Sequence, residues 1–291
     1  MFCCIHKQYS GIYNYVQVTG SNKGVGKGVV ELLAKNLNPK EWHVYLTARN
    51  VQLGEEAVKC FRDQGIEVKF HQLNICDKDS RHALVEFIKK RYPDGLDILV
   101  NNAGIAYKMD STAPFGEQAR VTIATNYTAN VDMCLDFLPI MAKNARLVNV
   151  ASLMAERSFN ALTEGVALKF LEASTLKELD DLMNKFVKYA ETGDHQKKGF
   201  SNSAYGMSKV GLWRATEILA AQYKSDPRHI LINSCCPGYV STDMTGHKGE
   251  KTILEGADTP FYLATLPEDA TEPYGKFISD RKVVKVDARF K

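Results

Sequence analysis

The sequence predicts an α/β fold: a single doubly wound domain with a parallel sheet, helices on both faces and a helical insertion late in the chain. Three observations carry that reading. Short apolar runs alternate with amphipathic segments from Tyr15 to Ser279, as successive right-handed βαβ units do. Most of the runs are rich in Val, Ile and Leu, which strands buried on both faces require. No internal repeat, low-complexity tract or Pro/Gly-rich linker divides the 291 residues, a length near the upper end for one α/β domain.

The elements follow in order. A short strand at Tyr15–Thr19 leads through a Gly-rich turn into a helix with Val29, Val30, Leu33 and Leu37 on one face. Trp42–Thr47 reads as the second strand and Glu55–Gln64 as the second helix. Ile66–Leu73 is strand-like, Arg81–Tyr92 helical, and Leu96–Val100 an apolar strand. A long helix is expected from Glu117 to Ala142, then a strand at Arg146–Ala151. Leu176–Tyr189 and Ala204–Tyr223 read as helices, Ile230–Cys235 as a β-branched strand and Phe277–Ser279 as one more. Ligands in such folds bind beyond the C-terminal ends of the strands, at the switch point.

Bulk chemistry excludes several functions. Hydrophobic residues make up 45% and charged residues 24%, so a packed core forms and disorder is not the default. Net charge is +3, from 37 basic and 34 acidic residues; nucleic acid and anionic membranes demand a more concentrated basic face. The seven scattered cysteines predict reduced thiols, with neither a disulfide framework nor a metal site. No apolar run approaches the ~18 residues of a membrane span. The start, Met1 to Lys7, lacks the apolar core of a signal peptide, and lipidation of Cys3 and Cys4 is the lesser reading. A cytoplasmic protein is expected.

Thr19-Gly20-Ser21-Asn22-Lys23-Gly24-Val25-Gly26 lies between a strand and a helix. Glycines let the backbone turn tightly and approach a pyrophosphate, whose charge the helix N-terminus favours. Its spacing is GxxxGxG, and a lone Gly-rich turn is weak; the strand before and helix after strengthen it. The second strand then ends Leu46-Thr47-Ala48-Arg49, with no carboxylate to bond a ribose 2′-hydroxyl. Arg49 can grip a 2′-phosphate with its guanidinium fork, and Lys23 adds a second positive charge. The cofactor read from these residues is NADPH, held in a Rossmann-type crevice.

Three further pieces complete a constellation: Asn101-Asn102-Ala103-Gly104 after one strand, Val150-Ala151-Ser152 at the end of another, and Tyr205-Gly206-Met207-Ser208-Lys209 opening a helix. Tyr205 and Lys209 are four apart and share a helix face. A tyrosine near its ordinary pKa of ~10 is a poor acid–base catalyst, and a nearby ammonium is expected to lower it. Ser152 can bond a substrate carbonyl oxygen that Tyr205 protonates.

With these motifs in place the chain resembles a short-chain dehydrogenase/reductase, and within that superfamily the monomeric NADPH-dependent carbonyl reductases. The resemblance runs from Gly20 to Ser279 and includes Phe70-His71-Gln72-Leu73, Asp97 to Lys108, Leu182-Met183-Asn184-Lys185-Phe186-Val187 and Cys235-Cys236-Pro237-Gly238. It implies that Ser152, Tyr205 and Lys209 are catalytic, that Asn126 completes a proton relay through water, and that Lys209 also holds the nicotinamide ribose. It implies cofactor contacts from the turn (Gly20, Asn22, Lys23, Gly24, Val25, Gly26), from Arg49, Asn74 and Ile75, from Asn102 and Ala103, and from Pro237, Gly238, Val240, Ser241 and Thr242. The implied substrates are quinones, ketones and aldehydes. Some members bind glutathione and its conjugates; Tyr107, Lys108, Met109 and Gln118 lie in the corresponding places.

About fifty residues separate Ser152 from Tyr205, far more than a connection needs. Leu168, Phe170, Leu171, Leu176, Leu179, Leu182, Met183, Phe186 and Val187 are spaced for two apolar-faced helices within roughly 157–200. By the resemblance such an insertion accompanies a monomer. Tyr239 to Lys251 reads as a mobile flap, with Tyr239, Leu153 and Met154 lining the carbonyl pocket. Cys235 is expected to be a buried, inert thiol beside the cofactor.

Two departures stand out. Asn74 occupies a place where the family usually has Asp, whose carboxylate contacts adenine. Gln17 interrupts a strand that should be aliphatic throughout, and a buried unpaired amide costs roughly 1–3 kcal/mol. The segment before Val16 is itself unusual, rich in Tyr, Asn and Cys. The competing readings are a catalytically idle NADPH-binding sensor or scaffold, and an alcohol dehydrogenase working oxidatively; retention of Ser152, Tyr205, Lys209 and Asn126 together favours a reductase.

Overall fold

Residues 13–108 and 110–287 are described by a computed structural model. Met109, and the N-terminal segment as far as residue 12, lie outside the described residues. Among those described, eight strands form: β1 (Asn14–Val18), β2 (Trp42–Ala48), β3 (Lys69–Gln72), β4 (Leu96–Asn101), β5 (Met141–Val150), β6 (Leu231–Cys236), β7 (Phe277–Ser279) and β8 (Lys282–Val283). All belong to one sheet of order β3-β2-β1-β4-β5-β6-β7-β8. Pairing is parallel throughout except between β7 and β8. The chain winds outward from β1 to β3, then returns to β4 on the other side of β1. That reversal opens the ligand crevice at the C-terminal ends of β1 and β4.

The helices are α1 (Gly24–Asn36), α2 (Val51–Arg62), α3 (Lys78–Arg91), α4 (Phe115–Ile123), α5 (Ala129–Phe137), α6 (Met154–Asn160), α7 (Glu164–Glu172), α8 (Leu176–Glu191), α9 (Ala204–Tyr223) and α10 (Ile253–Ala264). Strand alternation sorts the core into two faces. Val16, Val18, Val44 and Leu46 point toward α1, α2 and α10, packing with Val29, Leu33, Phe61 and Leu263. Tyr15, Tyr45, Leu99 and Leu147 point the other way, among Leu84, Ile88, Met133 and Phe137. A third cluster holds the insertion on α9: Phe159, Phe170, Leu179, Met183 and Phe186 meet Met207, Val210 and Trp213. The two helices expected there are α7 and α8, and α6, which begins before them, joins the cluster through Ala155 and Phe159.

The long helix expected to reach Ala142 needs correction. It ends at Phe137, a 3-10 turn spans Leu138–Ile140, and β5 begins at Met141. Pro139 sits in that turn and cannot supply the N–H a continuing helix needs. Its middle is also a π-helical turn, Ala124–Thr128. Asn130 Nδ2 donates to the carbonyls of Thr125 and Asn126 there, at 3.2 and 3.1 Å, and to Ala103 O at 3.1 Å. The inserted residue widens the helix where it meets the crevice, as π turns at functional sites do.

Gln17 is fully buried. Its Oε1 accepts from the Tyr15 hydroxyl at 3.3 Å, while Nε2 has no partner. The unpaired donor is a standing cost. Replacing both residues, Tyr15→Phe with Gln17→Leu, should raise stability by about 1–2 kcal/mol, read as a higher urea midpoint. Gln17→Leu alone should gain less, because the Tyr15 hydroxyl then loses its acceptor. A midpoint below wild type for the double variant would contradict this account.

Candidate active site

The crevice is built where β1 and β4 end. Thr19 Oγ1 accepts from the backbone N–H of both Asn102 and Ala103 at 2.9 Å. Asn102 Nδ2 donates to Thr19 O at 2.9 Å and to Gly20 O at 3.2 Å. The Gly-rich turn is thereby moored to the Asn-Ala-Gly segment. Gly20 has φ +59°, and a Cβ on it would lie 2.9 Å from Ala103 Cα. On Gly26 a Cβ would lie 2.4 Å from Asn102 Nδ2. Both positions therefore demand glycine, one of them for conformation as well as space.

Lys23 caps α1 without a side-chain hydrogen bond, which leaves the first-turn N–H groups facing the crevice as an anion site. Ser21 ties the turn to β2: its N–H donates to Thr47 O at 2.9 Å and its Oγ accepts from Thr47 N at 3.1 Å. Arg49 follows two residues later, exposed, and among the described residues no ion pair holds its guanidinium. β2 ends in Thr47 and Ala48, both buried and neither a carboxylate. These features fit a dinucleotide with an added phosphate.

Lys23 lies at the start of α1, where a second positive charge for the phosphate was expected. Its ammonium pairs with Asp243 at 2.8 Å, both side chains being exposed, so it pins the turn to the loop after β6. Asn74 spends its Oδ1 on the N–H of Cys76, 3.3 Å away, and Ile75 is buried beside it with its carbonyl held by Arg81 at 2.8 Å.

The stretch from Tyr239 to Lys251 folds back on itself. Lys251 N donates to Tyr239 O at 3.0 Å and Ser241 N donates to Lys251 O at 2.8 Å. Val240 is buried, and a Cβ on Gly249 would lie 2.0 Å from its carbonyl carbon. Pro237 and Gly238 start this loop; Gly238 has φ +85°, and a Cβ there would meet the Lys251 side chain at 2.9 Å. Thr242 lies over the Gly-rich turn, its Cγ2 3.6 Å from where a Gly24 Cβ would sit. Beyond it α10 begins with a capping box, Thr252 with Glu255. No helix was expected here, and that Thr-x-x-Glu around Ile253 and Leu254 is the signal that could have found it.

The chemical group lies at the end of β5 and the start of α9. Ser203 caps α9, accepting from Gly206 N at 3.0 Å, and so fixes Tyr205 in the first turn. Lys209 is buried and its Nζ donates to Val150 O at 2.8 Å. The same ammonium lies 5.6 Å from the centre of the Tyr205 ring. Burial lowers the Lys209 pKa to about 8. Tyr205 goes against the expected direction: burial pushes the phenol up to about 12, and the hydrogen bond from Ser152 only partly offsets it. Desolvation of the phenolate outweighs the Ser152 bond in the resting site. The phenol is therefore a held proton at neutral pH.

Asn126, in the π turn, is fully buried. Its Oδ1 accepts from Ile105 N at 2.8 Å, and its Nδ2 donates to Ile105 O at 2.8 Å and Ser208 Oγ at 3.1 Å. Ser208 Oγ donates to Tyr205 O at 2.6 Å, so one network links Asn126 to the tyrosine. Gly104 leaves that space open: a Cβ there would lie 3.2 Å from Asn126 Oδ1 and 3.8 Å from Lys209 Nζ. Cys236 Sγ accepts from Leu153 N and Gly238 N, both at 3.2 Å, joining the serine loop to the Pro-Gly loop. Cys235 is fully buried and burial raises its pKa, as an inert thiol requires.

A cleft of about 240 Å³ opens beside Tyr205, lined by Tyr107, Lys108 and Gln118 together with Phe115, Thr122 and Asn202. The first three were expected there; Met109 lies outside the described residues. Leu153 and Met154 stand at the start of α6 next to Ser152, and Tyr239 is exposed on the loop after β6. Phe115, Thr122 and Asn202 were missed. Thr122 was findable, four residues after Gln118 and hence on its helix face.

The whole defines a nucleotide-dependent oxidoreductase type of fold, whose crevice ends in a serine, a protonated tyrosine and a lysine. The chain belongs to the short chain dehydrogenase family, which it matches over residues 14–181 and 192–253. It is 44% identical over 279 residues to carbonyl reductase (NADPH) 1 of Homo sapiens, covering 94% of this chain and 98% of that protein. It is also 44% identical to carbonyl reductase (NADPH) 3 of Mus musculus, over 91% of this chain and 96% of that one. Salutaridine reductase of Papaver somniferum superposes with a TM-score of 0.81 at 28% identity, over 92% and 99% of the two chains. Menthone neomenthol reductase of Mentha piperita gives 0.75 at 28%, over 92% and 98%.

Proposed function

We propose that the protein is an NADPH-dependent carbonyl reductase that converts quinones, ketones and aldehydes to hydroquinones and alcohols, with Tyr205 as proton donor. The observation that carries this reading is the convergence of Ser152, the Tyr205 phenol and the Lys209 ammonium, with Ser152 hydrogen-bonded to the phenol and Nζ 5.6 Å from its ring centre. The Gly-rich turn, Arg49 and the Pro237–Thr242 loop would hold NADPH, which would supply the hydride for the carbonyl carbon. Ser152 bonds the carbonyl oxygen and Tyr205 Oη gives it a proton. The phenolate left behind is stabilised by Lys209, whose positive charge is nearby and desolvated. Asn126 spends its side chain on Ile105 and Ser208, so a relay water would have to meet its backbone carbonyl.

The insertion packed on α9 supports a monomer, and the one continuous sheet supports a single catalytic domain. Among the described residues no helix is long and apolar enough to cross a membrane, consistent with a cytoplasmic enzyme. Lys108, Tyr107 and Gln118 in the cleft offer one cation and two polar groups to glutathione conjugates.

The test is loss of NADPH absorbance with a quinone and an isatin-type ketone, with Tyr205→Phe as control. No turnover by the wild type across such a panel, with NADPH bound, would leave the idle sensor or scaffold in its place. Cofactor choice is tested separately. Arg49→Asp should raise KM for NADPH by about 30- to 100-fold, the worth of a charge-assisted phosphate bond, with little change for NADH. Equal losses for both would remove Arg49 from the 2′-phosphate site.

A further inference from the structure

His195, in the turn after α8, is buried at 6% exposure. Its backbone is fixed, its N–H donating to Tyr189 O at 3.1 Å and its carbonyl accepting from Phe200 N at 2.9 Å. The imidazole stacks on Phe115 at 4.4 Å and 26° and meets the edge of Phe186 at 6.3 Å. Its Nε2 lies 2.8 Å from Asn202 Oδ1, and Nδ1 is buried without a partner. Both residues it holds, Phe115 and Asn202, line the cleft beside Tyr205.

The orphaned Nδ1 decides the proton's place. Buried N–H groups without acceptors are rarer than acceptors without donors, so Nε2 carries the hydrogen and donates it to Asn202 Oδ1. The Asn202 amide is thereby oriented with its oxygen turned to His195 and its NH2 left for the exposed side, in the cleft wall. Ser203, the next residue, caps α9, so the amide is set a fixed distance along the chain from Tyr205.

We propose that His195 is a specificity-determining positioning residue. By fixing Asn202 as a donor in the wall, and Phe115 as a flat apolar floor, it favours carbonyl substrates bearing a neutral hydrogen-bond acceptor on the side away from the reacting carbonyl. The proposal rests on the cleft being the substrate site of a carbonyl reductase.

The test compares kcat/KM for methyl 4-formylbenzoate and 4-isopropylbenzaldehyde, with NADPH, in wild type, His195→Phe, Asn202→Ala and the double variant. The ester-to-isopropyl ratio cancels each aldehyde's intrinsic reactivity when variants are compared. It should fall about five- to tenfold in each single variant, the worth of one hydrogen bond. The double variant should fall no further than Asn202→Ala, since the two residues act through one bond. NADPH fluorescence titration reports whether each variant still folds; where His195→Phe does not, the ratio in Asn202→Ala decides alone. A ratio within twofold of wild type in Asn202→Ala, or additive losses in the double variant, overturns the proposal and leaves the reductase reading intact. Turnover of neither aldehyde by NADPH-bound wild type overturns both.

Discussion

Tyr205→Phe should lower kcat for carbonyl reduction by about a thousandfold, within the range a positioned general acid contributes, while NADPH affinity stays within about threefold. The substitution deletes one oxygen and keeps the ring. Nothing else in the local network depends on that oxygen except the bond from Ser152. Ser208 holds Tyr205 through its backbone carbonyl, so the helix start, and with it Ser203 and the cleft wall, stays in place. What disappears is the phenolic proton that Tyr205 holds near the carbonyl. Because burial holds that phenol up at about 12, it is in its donor form throughout neutral pH, and residual turnover in the variant should draw its proton from water. Stopped-flow traces with saturating NADPH separate the two effects: the binding phase persists and the reduction phase slows. A variant reducing a quinone and a ketone at wild-type rates would take Tyr205 out of the mechanism.

The parts legible in the sequence and the parts that were not differ in physical kind. Parallel strands buried on both faces must be apolar runs, so β2, β4 and β6 were readable to within a residue or two, and α9 and β7 at their observed bounds. The order of those elements placed Thr19, Asn102, Ser152 and Tyr205 at strand ends or at the helix facing them, where the structure has them. Gln17 was visible as an anomaly because an amide has no business in such a strand, and its Nε2 is indeed unpaired. What failed depended on tertiary partners. The π turn around Asn126 exists because Asn130 absorbs the displaced carbonyls, a contact no spacing announces. The ion pair between Lys23 and Asp243, distant in sequence, is likewise nothing that spacing announces. The direction of the Tyr205 shift depended on how deeply the phenol is desolvated, which spacing does not show. A four-residue spacing fixes the shared face of a helix, but not that the ammonium turns to Val150 O.

The direction of the Lys209 ammonium has a consequence in pH. Burial lowers its pKa to about 8, so the cation is present below that value and lost above it. Reduction needs the cation, because the phenolate formed when Tyr205 gives up its proton must be stabilised as it appears. Tyr205 itself, held at about 12, does not titrate in the same window. Plotted against pH, kcat/KM for NADPH, which reports the free enzyme, should therefore be level below pH 7 and fall on an alkaline limb centred near 8. Lys209→Met should be low at every pH, by about a hundredfold or more, since its loss removes a desolvated charge from a site of low dielectric. Lys209→Arg is the sharper variant. A guanidinium stays charged across the range, so whatever rate it retains should lose the limb near 8 altogether. A limb that survives in Lys209→Arg belongs to another group, and the assignment of Lys209 as the cation that receives the phenolate would fail with it.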